Sequence, residues 1–219
     1  MTKLEEFWPP RDGATRVVGK VQHEGYKFAA ERYQRTNPGV PWMPRSANEI
    51  LEGMLRPTDR CIEWGAGDST TWLRERCASI LSVEHDPSWY ERVRGELSRQ
   101  GYDPDSVQLL SIEPVDRPAE SPYVRAVDAF GDGELDVCFV DGEHRTACIF
   151  EVIPKLTSGG LLIVDDVQGY FDHPSHCIHS REGLGHLSED WAEVLVRLAD
   201  WRMIWTGDGY SDAAIWIKP

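Results

Sequence analysis

The stretch Cys61-Ile62-Glu63-Trp64-Gly65-Ala66-Gly67-Asp68-Ser69-Thr70-Thr71 limits the possible folds more than any other part of the chain. Cys61 to Trp64 reads as a short apolar strand that runs into a glycine turn. The turn opens at once into a helix, predicted over about Ser69 to Cys77. Gly65 and Gly67 allow a tight turn and let a ligand approach the backbone with no Cβ in the way. The helix N-terminus behind them presents free N–H groups and a positive dipole end. Strand, glycine turn and helix in this order predict a cofactor site. A dinucleotide site would carry G-x-G-x-x-G here, with an acid about 20 residues further on. Gly65, Gly67 and Thr70 fill the three slots, so the third glycine is missing, and an acid, Glu63, sits in the strand end itself.

Further along, strands and helices alternate. Ser46-Ala47-Asn48-Glu49 has the pattern of a capping box and opens a helix to about Leu55, before Pro57. Arg60 to Trp64 and Ser79 to Glu84 read as the first two strands. Asp86-Pro87 supplies an N-cap and a first-turn proline for a helix to about Gln100, stopped by Gly101. Val107 to Ile112 is a third strand, and Tyr123 to Phe130 a weak helix. Leu135 to Val140 is nearly continuous in apolar residues, as a strand buried on both faces should be. A helix over Glu143 to Leu156 and a fifth strand over Leu161 to Val164 follow. Residues 167–187 form a long polar loop holding His173, His176, His179 and His186. Ser188 caps a helix to about Asp200, and Arg202 to Trp205 and Ala213 to Ile217 flank a tight turn. Such alternation predicts an α/β fold with a parallel sheet covered by helices on both faces, and so short a final connection makes the last strand antiparallel.

The E-x-G-x-G-x-S/T turn, the strand ending in Glu84, the segments Leu135 to Asp141 and Ser158 to Asp166, and the closing strand pair resemble the class I S-adenosylmethionine-dependent methyltransferases. The likeness runs from about Ile50 to Pro219 and extends to the macrocin-type and catechol-type O-methyltransferases. It implies a doubly wound, mostly parallel seven-stranded sheet with an antiparallel last strand, the Rossmann-like methyltransferase fold. It also implies residue roles. Gly65, Ala66, Gly67 and Ser69 would lie under the methionine part of S-adenosylmethionine, and Glu63 and Asp68 would engage its amino end directly or through water. Glu84 would accept both ribose hydroxyls, with His85 beside it. Ser111 and Ile112 would flank the adenine, and Asp141 would lie near the sulfonium. Trp64 departs from the small or aliphatic residues usual in this turn; it either stacks near the cofactor or closes the back of the pocket.

Asp141, Asp165 and Asp166 place three carboxylates at neighbouring strand ends, where hard oxygen ligands suit Mg²⁺. The Asp141-Gly142-Glu143-His144 segment does not closely match either metal-dependent family. Without a metal, an oxygen acceptor needs a base, and His144 is the first candidate because an imidazole titrates near neutral pH; the alternative is that it caps the following helix. The histidine loop offers a lid over the substrate, a surface loop, or less readily a zinc site, since its spacing matches no zinc pattern.

Residues 1–45 fall outside the sheet pattern and are expected to form an N-terminal arm over the substrate, with residues 46–219 as the cofactor-binding domain. A helix over Val21 to Tyr33 is predicted, and Trp8, Trp42 and Met43 are either candidate substrate-wall residues or pins that hold the N-terminal arm to the core. The net charge of −14, from 37 acidic and 23 basic residues, argues against a nucleic-acid surface and against a polybasic membrane patch. No apolar run approaches the roughly 18 residues that a membrane span needs, and Met1 to Glu6 has no apolar signal core. Five scattered cysteines fit a reducing, cytoplasmic compartment. The expected partner is a small-molecule acceptor, oxygen first and nitrogen second. The oligomeric state stays open, a homodimer included. Two other readings stand beside this one: a cofactor-binding module without catalysis, and an NAD-type oxidoreductase using the same turn.

Overall fold

The computed structural model describes residues 13–219, with side chains from residue 22 onward, so Trp8 and its neighbours lie outside the described residues. Seven strands form one sheet: β1 (Arg60–Trp64), β2 (Ser79–Glu84), β3 (Val107–Leu109), β4 (Leu135–Val140), β5 (Leu156–Val164), β6 (Arg202–Gly207) and β7 (Asp212–Ile217), in the order β3-β2-β1-β4-β5-β7-β6. β1 to β5 pair in parallel, and β7 is inserted antiparallel between β5 and β6. The chain winds from β1 outward to β3, then returns to start the other half at β4. The strand order therefore switches between β1 and β4, and open α/β sheets bind ligands beyond the carboxyl ends of the strands at such a switch.

Both faces of the sheet are covered, which explains the apolar runs of the central strands. Ile62, Trp64, Cys138, Val140, Leu162 and Val164 are buried on one face, beneath α5 (Pro122–Arg125), α6 (Arg145–Val152) and α7 (Glu189–Arg197). Their neighbours Cys61, Val137, Phe139, Leu161 and Ile163 are buried on the other, with Ala47 and Leu51 of α2 (Arg45–Met54) and Trp72 and Leu73 of α3 (Asp68–Arg76). α4 (Pro87–Arg99) adds Val93 and Leu97 against Val107. The side chain of Asp86 caps α4, accepting from the backbone N–H groups of Ser88 and Trp89, as its sequence predicts. Met43 is 4% exposed and belongs to this core, so it is not a substrate-wall residue.

Where tertiary partners compete, the local signals give way. The capping box at Ser46 does not form: α2 begins at Arg45 with Pro44 as its N-cap, and the Ser46 hydroxyl bonds that of Thr206 on β6. Glu49 instead pairs with Arg45 at 2.6 Å. β3 ends at Leu109 rather than Ile112, and the predicted helix over Tyr123 to Phe130 divides into α5 and a 3-10 turn at Ala126–Ala129. α6 is shorter than its pattern, because His144 at its N-cap is left-handed (φ 51°) and Pro154 lies just beyond its end.

The N-terminal arm contains α1 (Gly13–Thr36). Its Tyr26 ring packs so closely on Gly209, in the β6–β7 turn, that a Cβ there would lie 2.6 Å from the ring. At the other end, Gln34 and Asn48 both donate to the Pro41 carbonyl, at 2.8 and 3.0 Å, and fix the loop that carries Trp42.

Candidate active site

At the switch point, the turns after β1 and β4 touch backbone to backbone. Gly65 has φ 93°, and a Cβ on it would come within 2.8 Å of the Gly142 nitrogen. The Gly65 N–H donates to Val83, and the Asp141 N–H to Trp64, each at 2.9 Å. Above this seam opens a cavity of about 920 Å³, lined by Gly65, Ala66, Gly67, Asp68, Ser69, Glu84, His85, Asp141, His144, Arg145 and Tyr170, with Trp42 and Trp89 at its side. A second cavity of about 520 Å³ adjoins it and shares Trp42, Gly67, Asp68 and Arg92. Gly67 needs no left-handed backbone, and a Cβ there would meet only Ser69 and Trp89, at 3.8 and 3.9 Å. The space it leaves open faces the cavity, as a ligand-cradling glycine requires.

Glu84 is 4% exposed, and its Oε1 accepts from the backbone N–H groups of His85 and Asp86 at 2.7 and 2.8 Å. A carboxylate held by two backbone donors is pre-oriented toward whatever binds its free edge.

Glu63 is placed differently from the expectation. It is fully buried and does not line the cavity. Its carboxylate accepts from the hydroxyls of Ser69, of Thr70 at 2.6 Å and of Ser82 at 2.7 Å. Of its three hydroxyl partners, only Ser69 lines the cavity. Thr70, in the slot of the missing third glycine, ties this carboxylate to the turn, since its hydroxyl also accepts from the Gly67 N–H at 3.0 Å. Burial raises Glu63 from 4.5 to about 7, against the lowering effect of the three hydroxyls.

The stability consequence has a definite sign. As pH rises above 4.5 the unfolded chain loses this proton while the folded chain keeps it to about 7, so stability is lost over that window. The full effect is on the order of 3 kcal/mol. Asp141 shifts the same way. Urea unfolding of the wild type is therefore expected to show a falling free energy from pH 4.5 to about 7. The Glu63→Gln variant is expected to show a clearly shallower slope; an unchanged slope would remove Glu63 from this account.

Trp64 closes the back of the site. Its ring is buried in the core, and its Nε1–H donates to the Tyr123 carbonyl at 2.8 Å. Ser111 and Ile112, expected to flank an adenine, are not on the cavity wall. The Ser111 hydroxyl accepts from the Glu113 N–H at 3.1 Å, and the Ile112 carbonyl bonds His144 Nε2 at 2.8 Å. That last bond is informative. A carbonyl only accepts, so Nε2 carries the hydrogen and the neutral ring has its lone pair on Nδ1. His144 makes no side-chain cap to α6, so capping does not account for it. The only non-glycine residues with positive φ among the described residues are His144 and Asp166, both at this edge of the sheet.

Asp141, Asp165 and Asp166 come together, with ligand oxygens within 4.8 Å of one another. Burial raises Asp141 to about 6, and it raises Asp165 well above the usual carboxylate range, where Asp166 and Asp141 add to the effect. As a donor set they suit a hard divalent ion. Asp141, however, is already paired with a residue that the sequence reading passed over. Arg145 bonds Asp141 Oδ1 at 2.9 Å and the carbonyls of Asp141, Gly142 and Asp165 at 2.9, 3.0 and 2.6 Å. Burial works against its charge, but Asp141 and the other acids outweigh that and keep it protonated. Arg145 lines the cavity, whereas Asp165 and Asp166 do not. Of the trio only Asp141 faces the cavity, and its Oδ1 is already paired with Arg145, so the trio fits poorly a metal that must also hold two acceptor oxygens there. The spacing Asp141 to Arg145, four residues at a helix start, is the sequence signal that could have revealed the pair.

Three histidines of the loop are engaged with neighbouring residues. His173 stacks on Trp205 at 3.9 Å, His186 accepts from the Asp172 N–H at 3.1 Å, and His179 packs edge-on against His23 at 4.9 Å. None of them lines the main cavity, to which this loop region contributes Tyr170 and Leu187 instead. Among the described residues, the aspartate trio is the only cluster of three or more metal-type side chains.

Comparison with known proteins agrees with this geometry. Residues 62–167, just under half the chain, match the family model described as a methyltransferase domain. A search of curated sequences returned no match. Among solved structures, one provisionally assigned as a caffeoyl-CoA O-methyltransferase from Staphylococcus aureus aligns with a TM-score of 0.57 at 14% identity, over 94% of this chain and 98% of that one. A methyltransferase from Geobacter sulfurreducens gives 0.54 at 15%, over 98% and 93%. A Streptococcus mutans protein, provisionally a methyltransferase and solved with S-adenosylhomocysteine, gives 0.54 at 11%, over 80% and 96%. At these identities the structures speak for the fold, and the family match speaks for its kind: over residues 62–167 the chain is a methyltransferase domain, built on the class I methyltransferase fold.

Proposed function

We propose that this protein transfers a methyl group from S-adenosylmethionine to an oxygen of a small-molecule acceptor. The observation that carries the reading is the single cavity that joins the glycine turn, the pre-oriented Glu84 carboxylate, Asp141 and His144 at the switch point. The open space at Gly67 and the volume of about 920 Å³ suit a nucleoside-sized ligand with an acceptor beside it. The likeness to structures named for S-adenosylhomocysteine binding and O-methylation supports it.

S-adenosylmethionine supplies a sulfonium methyl group whose carbon–sulfur bond breaks with its electron pair going to sulfur. The chain supplies alignment and charge. Gly65 and Gly67 admit the methionine part, Glu84 orients the ribose, and Asp141 places negative potential beside a cation. An acceptor hydroxyl must lose its proton as its oxygen bonds to the methyl carbon, and Nδ1 of His144 takes that proton. In-line transfer gains most from alignment and exclusion of water, which the walls from Trp42 to Tyr170 provide. No step requires the aspartate trio to hold Mg²⁺. The acidic surface favours a small acceptor over nucleic acid or a membrane, and no described helix is long and apolar enough to cross one. Five free, buried cysteines agree with a cytoplasmic location.

Calorimetric titration with S-adenosylhomocysteine, with NAD as control, tests the cofactor. Micromolar binding of the first and none of the second is expected; binding of NAD alone would sink the reading and restore the oxidoreductase. Release of S-adenosylhomocysteine with a panel of hydroxyl and amine acceptors then tests oxygen against nitrogen, and cofactor binding without turnover of any acceptor would favour the binding-module reading.

A further inference from the structure

The acid cluster behind β4 and β5 contains its own cation. Arg145 opens α6 four residues after Asp141, and its side chain is 13% exposed. A guanidinium has five N–H donors. Four are spent inside the cluster: Nε on the Gly142 carbonyl, Nη1 on that of Asp165, and Nη2 on both the carbonyl and Oδ1 of Asp141. Its far side lies over the Tyr170 ring, 5.2 Å from the centroid. So fixed, the group cannot swing away without leaving three part-buried carbonyls and a carboxylate oxygen without this donor, which is costly. Planar forks of this kind are chosen where a cation must be held in one orientation.

We propose that Arg145 is the resident counter-ion of the Asp141, Asp165 and Asp166 cluster, and that its guanidinium takes the place of a divalent metal ion there. Arg145 and Asp141 line the cavity as a pair while Asp165 and Asp166 do not, so an acceptor bound in the cavity meets a guanidinium paired with a carboxylate rather than a metal. Its remaining Nη1 hydrogen is the donor left for an acceptor oxygen. This last role rests on the methyl-transfer reading; the exclusion of metal does not. One oxygen in the cluster is unaccounted for: Asp165 Oδ1 is buried without a partner. It is the atom a metal would claim, and it selects the variant that decides the question.

The test is titration of the full chain with Mn²⁺, read by the loss of the free-ion paramagnetic resonance signal. The wild type is expected to leave the signal unchanged through the millimolar range. Arg145→Gln, which removes the charge and most of the donors, is expected to bind Mn²⁺ at least roughly tenfold more tightly than wild type. Arg145→Lys should stay closer to wild type. Micromolar binding by the wild type that Asp165→Asn abolishes would overturn the proposal, and this arm stands even if Arg145→Gln does not fold. A folded Arg145→Gln that still takes no Mn²⁺ would also count against it. S-adenosylhomocysteine titration on the same samples separates the two readings: its failure sinks methyl transfer and leaves the Mn²⁺ result in force.

Discussion

Gly142→Ala is expected to destabilise the protein by about 3 kcal/mol or more, beyond the usual range for adding one methyl group to a packed site. The added Cβ would fall on the Tyr123 hydroxyl and within 2.9 Å of the Gly65 nitrogen. Neither neighbour can yield. Tyr123 is fully buried, its hydroxyl accepts from the Glu143 N–H at 3.3 Å, and its carbonyl holds Trp64. Gly65 is fixed by its bond to Val83. Urea unfolding measures the loss, and a double-mutant cycle identifies its cause. Tyr123→Phe removes the clashing oxygen, so Gly142→Ala should cost markedly less in that background. Equal cost in both backgrounds would locate the strain at Gly65 instead. Because the same two glycines carry the cofactor turn and the turn bearing Asp141, any folded Gly142→Ala protein should also bind S-adenosylhomocysteine more weakly.

Glu84→Ala is expected to weaken S-adenosylhomocysteine on the order of a hundredfold, with Glu84→Gln intermediate at about tenfold. Charge-assisted bonds from a carboxylate to two hydroxyls are stronger than neutral ones, and Gln keeps only one acceptor. The variant also leaves the N–H groups of His85 and Asp86 without Oε1, so thermal unfolding must accompany the calorimetry. A drop in affinity without a matching loss of melting temperature assigns the carboxylate to the ligand. Wild-type affinity in Glu84→Ala would mean that the strand-end acid serves only the turn after β2.

β1, β2 and β4 could be read to the residue, because strands buried on both faces and stopped by Gly65, by Glu84 and by Asp141-Gly142 leave little room for another register. The edge of the site was legible for the same reason: strand ends in a parallel sheet fall on one side. What pattern could not show was which way a strand-end side chain turns. Glu63 and Glu84 are alike in sequence, yet one faces three hydroxyls in the interior and the other faces the cavity. Ser46 has a flawless local cap signal that a hydroxyl from residue 206 overrides, 160 positions away. Ser111 and Ile112 follow a strand that ends early, at Leu109, and do not line the cavity. Arg145 lay hidden because it was read as part of a helix rather than as the neighbour of Asp141.

The insertion of β7 between β5 and β6 also shapes how the chain folds. β6 touches the sheet only through β7. It cannot join until the two have paired with each other, a local event on the microsecond scale. β7, alone or already paired with β6, must find β5, whose open side, Leu161 to Val164, is buried and apolar in the finished protein. Until that docking, an intermediate displays a bare apolar strand edge, the kind of surface on which chains stick to one another. The yield of soluble protein should therefore depend on how quickly β7 closes that seam.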